Sequence, residues 1–127
     1  MEKASSRKSV VFTDRELDVM DVLWREGSAT VADVRESLTD ELAYTTVLTI
    51  LRTLERKGHV AHEEEGRAYR YHPLVKREEA QEGHLHRLVR KLFSGSSSAL
   101  LTHLLSEEDL SEEEVSRLRA LLEERLG

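Results

Sequence analysis

Between Ala43 and Val60 the chain reads AYTTVLTILRTLERKGHV, with threonine at 45, 46, 49 and 53 and arginine at 52 and 56. A β-branched threonine costs a few tenths of a kcal/mol against alanine in a helix, so helix stability does not ask for four of them. At about 100° per residue, Val47, Ile50, Leu51 and Leu54 fall on one side of such a helix. Thr45, Thr49, Arg52 and Arg56 fall on the other, with Thr46 and Thr53 on a flank. Threonine offers a hydroxyl beside a methyl that can pack on the thymine methyl, and arginine can hold guanine through two hydrogen bonds. Thr45 and Thr46 lie near the helix N-terminus, the end that normally touches base edges. A face made only to be solvated would more usefully carry Glu and Lys. The threonines fit a DNA groove.

A second group follows in GRAYRYHPLVKR, residues 66–77, where Arg67, Arg70, Lys76 and Arg77 stand without an acidic residue. Arg67 and Arg70 read as phosphate contacts, which give affinity and register but no sequence information. The plainer reading of the pair is a solvated edge strand guarded by charge. Other chemistries find little support. His84 and His86 are two apart and do not share a helix face, and His59, His62 and His72 lack the further ligands zinc would want. No metal and no cofactor are expected. There is no phosphate loop or nucleophile motif, and Glu63, Glu64 and Glu65 read as a solvated turn, so catalysis is not expected either.

The elements that would position these residues are legible around them. Thr13 and Glu16 form a capping-box pattern, Phe12 and Leu17 a hydrophobic staple, and Leu17, Met20, Leu23 and Trp24 recur at helical spacing until Gly27. Thr30 with Asp33 can cap a short second helix bearing Val31, Val34 and Leu38. The threonine segment is the third helix, residues 44–57. Residues 59–72 then alternate, turn at Glu65-Gly66 and stop at Pro73, which predicts a two-stranded hairpin. Three helix, then hairpin, is the order of a winged helix-turn-helix.

Beyond it, the spacing predicts a helix over Val75–Phe93, a break at SGSSS (94–98), a short helix with Leu100, Leu101, Leu104 and Leu105, and a last helix capped by Ser111 and Glu114. The fold class expected is therefore mainly α: a winged helix-turn-helix over residues 1–75 and a helical region over 76–127. Leu88, Leu92, Leu101, Leu104, Leu118 and Leu122 lie on more faces than one small helical hairpin can bury. A second copy of the chain would cover them, making a homodimer.

Charge is unevenly spread. The chain of 127 residues has a formal net charge of −6, but residues 1–77 hold 13 Lys/Arg against 14 Asp/Glu, and residues 78–127 hold 6 against 11. The total therefore says little about an anionic partner, whereas local charge favours one near residues 45–77. There is no cysteine, which removes disulfides and thiolate metal sites. No apolar run approaches the roughly 20 residues of a membrane span and no signal-peptide core is seen, so a cytoplasmic location and no membrane partner are expected.

FTDRELDVMDVLWREGSATVADV, YTTVLTILRTLERKGHV and GRAYRYHPL resemble the penicillinase and methicillin-resistance repressors, the BlaI/MecI/CopY family of bacterial transcription regulators. LFSGSSSALLTHLLSEEDLSEEEVSRLRALL resembles that family's dimerisation region. The resemblance implies a homodimer that represses genes from an inverted-repeat operator in double-stranded DNA. It carries recognition-helix contacts onto Thr45, Thr46, Thr49 and Arg52, and a wing contact onto Arg67. It also implies a sensor protease as a further partner. The β-lactam-responsive members are cut at an Asn-Phe bond, and this chain has His103-Leu104 there. The copper-responsive branch senses through cysteine pairs that this chain lacks. The rival expectation is a winged-helix module that binds protein instead of DNA.

Overall fold

A computed structural model of the chain describes residues 10–107 and 109–126. Helix α1 spans Asp14–Glu26, strand β1 Ala29–Thr30, α2 Val31–Ser37 and α3 Tyr44–Arg56. Strands β2 (Val60–Glu65) and β3 (Ala68–Pro73) follow, then α4 (Arg77–Leu92), α5 (Ser97–Glu107) and α6 (Glu112–Leu126). Among the described residues no helix is long and apolar enough to cross a membrane.

Helix starts form where the sequence supplies reciprocal caps. Thr13 Oγ1 accepts from Glu16 N–H at 3.2 Å while Glu16 Oε1 accepts from Thr13 N–H at 2.9 Å. Thr30 with Asp33 and Ser111 with Glu114 repeat this at α2 and α6. Gly27 ends α1 at φ 86°, a conformation that a side chain would strain, and its N–H closes on the Leu23 carbonyl at 2.8 Å.

The sheet has three strands, in the order β1-β3-β2, all antiparallel. Ala29 and Thr30 pair with Tyr71 and Arg70, a short strand absent from the expectation of a two-stranded hairpin. It docks the wing onto the turn between α1 and α2. Val19, Met20, Leu23, Val34, Val47, Leu51, Leu54 and Tyr71 are almost completely buried, so three helices and one sheet face share a core. Leu51→Ala, at 0% exposure, would cost about 2–5 kcal/mol through lost burial and the cavity left behind.

The chain divides into two compact units that meet between Arg87 and Leu88, beyond the boundary at 75 expected from the proline. Pro73 ends the hairpin but not the packing. Trp24 Nε1 donates to the Val75 carbonyl at 2.8 Å, and Arg77 bonds Asp21 at 3.0 Å with its guanidinium 5.0 Å from the Trp24 ring centre. Ala80 is buried, and the Phe12 N–H donates to His84 Nε2 at 2.9 Å. The first half of α4 is thus part of the winged-helix unit.

The second unit begins with the end of α4 and holds α5 and α6. Ser94 and Gly95, at φ 50° and 82°, turn the chain between α4 and α5, where the serine-rich break is expected. His103 meets the Phe93 ring edge-on at 5.5 Å. Among the described residues of this unit no side chain is buried.

Candidate nucleic-acid interface

Helix α3 presents the face its spacing predicts. Val47, Leu51 and Leu54 are buried, and Ile50 and Leu48 are partly so. Thr45, Thr46, Thr49, Arg52 and Arg56 are exposed, with Thr53 half-buried. Thr49 Oγ1 donates to the Thr45 carbonyl at 2.9 Å. Its hydrogen is therefore used within the helix, leaving oxygen lone pairs and the methyl to face outward.

The start of α3 differs chemically from the capped helices. Ala43 stands at the cap and makes no side-chain hydrogen bond, and the first turn holds no acidic residue. Val47 N–H to Ala43 O, at 3.1 Å, is the first bond of the helix, so the amides of Tyr44, Thr45 and Thr46 have no intrahelical acceptor. Such donors, at the positive end of the helix dipole, suit a phosphate oxygen. The signal was present in the sequence as alanine where a Ser, Thr, Asp or Asn would cap, and these amides and the exposed Tyr44 stand beside the threonine face.

Ion pairing sorts the cations of the winged-helix unit. Arg15 pairs with Asp40, Arg25 and Arg77 with Asp21, and Lys57 with the buried Glu16 at 2.8 Å. Arg52, Arg56 and Arg67 have no carboxylate within 4 Å among the described residues. Arg67 sits at the exposed wing tip beside Gly66, whose φ of 64° makes the turn.

Arg70 is placed differently from its expected part as a phosphate contact. Its Nε and Nη2 bond the two Glu65 oxygens at 2.6 and 3.1 Å, Nη1 reaches Ser28 at 3.4 Å, and Asp33 lies 3.9 Å away. Tyr71 faces the core, so the neighbouring Arg70 points from the other side of β3. The hydrogen bonds and charge of Arg70 hold the Glu65 carboxyl below its ordinary range, and the same pairing raises Arg70. Asp33 is lowered mainly by its bonds from Thr30. Arg70 ties the wing to the β1 turn.

The histidines do not converge. His59 packs edge-on against Phe12 at 4.9 Å, and burial pushes it below the ordinary imidazole range. His62 pairs with Tyr71 across the sheet and His72 with Ala61, so His62 and His72 point to opposite faces. His62 Nδ1 lies 2.7 and 2.8 Å from the two Glu55 oxygens. The sequence pattern alone presents His62 and His84 only as possible ligands, because their partners are distant in sequence.

Comparison with known proteins agrees with this geometry. The penicillinase repressor family matches residues 12–124. The transcriptional regulator BlaI of Mycobacterium tuberculosis is 39% identical over 118 residues, 90% of this chain and 85% of that protein. The penicillinase repressor of Bacillus licheniformis is 29% identical over 120 residues, 93% of this chain and 94% of that protein. The solution structure of the DNA-binding domain of the repressor BlaI covers 54% of this chain and 85% of its own, at 33% identity and a TM-score of 0.50. An uncapped, threonine-lined helix with unpaired arginines thus lies on a fold shared with a repressor's DNA-binding domain, and the chain belongs to the penicillinase repressor family of DNA-binding transcriptional repressors.

Proposed function

We propose that two copies of the chain bind an inverted-repeat operator, each laying α3 in a major groove and its wing along the phosphate backbone. Thr45, Thr46, Thr49, Arg52 and Arg56 form the groove face, and Arg67 contacts a phosphate. The chemistry of one surface carries this reading: the exposed threonine face of α3 stands with Arg52, Arg56 and Arg67, none of which has a carboxylate within 4 Å among the described residues, whereas Arg15, Arg25, Lys57, Arg70 and Arg77 are paired. Unpaired arginines can release the condensed counterions of DNA, and paired ones contribute much less. The activity is binding, not catalysis, and it belongs to the cytoplasm, where promoter DNA lies.

Dimerisation rests on the second unit. Leu88, Leu92, Leu104 and Leu122 are 36%, 72%, 46% and 52% exposed, and Leu101 and Leu118 are half-buried. With no buried side chain among its described residues, this unit lacks a core of its own, and a second copy supplies one. A sensor protease would meet His103-Leu104 inside α5, so cutting there requires the helix to unwind first.

A titration of the protein against a duplex selected from a random-sequence pool, its isolated half-site and unrelated DNA tests the reading. Expected are tight, salt-sensitive binding to the full palindrome and much weaker binding to the half-site. Equal affinity for all three duplexes would refute it.

A further inference from the structure

Helix α3 carries one carboxylate in its second half, Glu55, three residues after Arg52. Residues at that spacing are neighbours on a helix surface, so a carboxylate there would ordinarily pair with the arginine. It does not. Glu55 is turned to the wing, where His62 Nδ1 lies 2.7 and 2.8 Å from its two oxygens. A carboxylate only accepts, so Nδ1 carries the hydrogen and donates to it.

The imidazole is held for this task. Its ring lies 4.5 Å from that of Tyr69 and 5.2 Å from that of Tyr71, and Tyr71 is 1% exposed and anchored in the core. Register explains the placement, because His62 and Tyr71 are direct partners across β2 and β3 and share the face turned to α3. Glu55, Arg52, Tyr69 and Tyr44 all lie close enough to Tyr71 to act on its hydroxyl electrostatically. The charges of the helix flank and the rings of the wing therefore gather at one junction.

We propose that His62 is a positioning residue for DNA recognition: it draws Glu55 onto the wing and so leaves Arg52 unpaired for the groove. The same bond keeps a negative charge from turning toward the phosphates and braces the wing against the recognition helix. This rests on the reading of α3 as the groove face, and Arg52 is where the two meet.

The test uses the full chain and a duplex selected from a random pool by the wild-type protein. His62→Phe keeps a ring against Tyr69 and Tyr71 but removes the donor. Binding to the selected duplex should weaken roughly tenfold, the scale of one lost charge-assisted contact, and the preference for that duplex over random DNA should fall with it as the arginine's base contact is lost. Adding Glu55→Gln to the same chain should restore both, because a neutral amide cannot neutralise Arg52. Unchanged binding in His62→Phe, or a loss that Glu55→Gln does not repair, would overturn the proposal, the latter marking a merely structural role. Glu55→Gln alone does not depend on how His62→Phe folds and should change affinity by less than about twofold. A tenfold gain there would show that Glu55 already opposes DNA and would equally overturn it. Arg52→Ala separates the two levels of argument. If it leaves the ratio of selected to random affinity unchanged, the groove-face reading fails; if it is costly while His62→Phe is silent, the role of His62 alone fails.

Discussion

Leu92 is 72% exposed and Leu122 52% exposed, on helices that bury no other side chain deeply in the second unit. Complete burial of a leucine is worth about 1.5–3 kcal/mol relative to leaving it in water. Covering the exposed part of Leu92 should therefore stabilise each side of a dimer by about 1–2 kcal/mol. A two-fold axis applies any substitution twice, so Leu92→Ala should weaken the dimer by about 2–4 kcal/mol, or roughly 30- to 1000-fold in its dissociation constant. Leu122→Ala should act in the same direction with a somewhat smaller effect. Sedimentation equilibrium across a concentration series measures both. If neither variant moved the dissociation constant, these leucines would not be the interface.

A chain stopped at His103 carries the argument to DNA. Among the described residues every buried core side chain lies between Val10 and Ala80, so the winged-helix core stays whole in this fragment. It loses Leu104, Leu105 and all of α6, and should be folded by circular dichroism yet monomeric. Two linked contacts can exceed the affinity of one by about 10²–10⁴-fold, so operator binding should fall by at least the lower figure. A folded, monomeric fragment with wild-type affinity for the palindrome would refute the reasoning.

Arg52→Ala should cost about 1–3 kcal/mol on the selected duplex and much less on random DNA, read by anisotropy titration, because a base contact is lost. Arg67→Ala should weaken both DNAs alike and lower the salt slope by roughly 0.9, whereas Arg70→Ala should leave the slope nearly unchanged, since Glu65 already neutralises that cation. Thermal stability should fall in acid in two stages. Burial holds neutral His59 below its ordinary 6.5, so the unfolded chain takes the proton first and stability drops as pH falls below about 6.5. Burial pushes Glu16 upward, but Lys57 and the Thr13 N–H outweigh it and hold it below 4.5, so its contribution is present above that pH and is lost as pH falls through the lower folded value. Glu16→Gln should shrink the second stage, to which Glu65 and Asp33 also contribute, and His59→Phe should remove the first, in calorimetric scans against pH.

What the sequence revealed and what it hid divide along the range of the interactions. The caps at Thr13, Thr30 and Ser111 were legible because each is closed within three residues. The outward face of α3 was legible because helical periodicity places it without help from the rest of the fold. Strand β1 was not, since two residues carry no period and Ala29 and Thr30 become a strand only by meeting Tyr71 and Arg70. Arg70 looked like an available cation because Ser28 and Asp33 are far away in sequence and Glu65 lies across the turn. The part played by His84 was hidden for the same reason, its partner being the Phe12 amide 72 residues away.

A net charge of −6 and binding to a polyanion are reconciled by where the acids are spent. Asp21, Asp40, Glu16 and Glu65 each hold a basic side chain off the α3 face, which stabilises packing and removes those charges from any encounter with DNA. Residues 78–127 contain 11 acids against 6 basic residues, a surplus separate in sequence from the groove face. At about 0.1 M salt, charges beyond roughly 10 Å are largely screened, so a phosphate near α3 responds chiefly to Arg52, Arg56 and Arg67. Lower salt lengthens that range and lets the acidic surplus oppose association. The rise in affinity as salt is lowered should therefore flatten for this chain below about 0.05 M. A fragment ending at His103, which lacks the acidic run after Ser106, should continue to rise. Parallel salt titrations on half-site DNA, where dimerisation plays no part, would show the two lines diverging. Superimposable slopes down to 0.01 M would mean that the acidic helices exert no long-range field on the groove face.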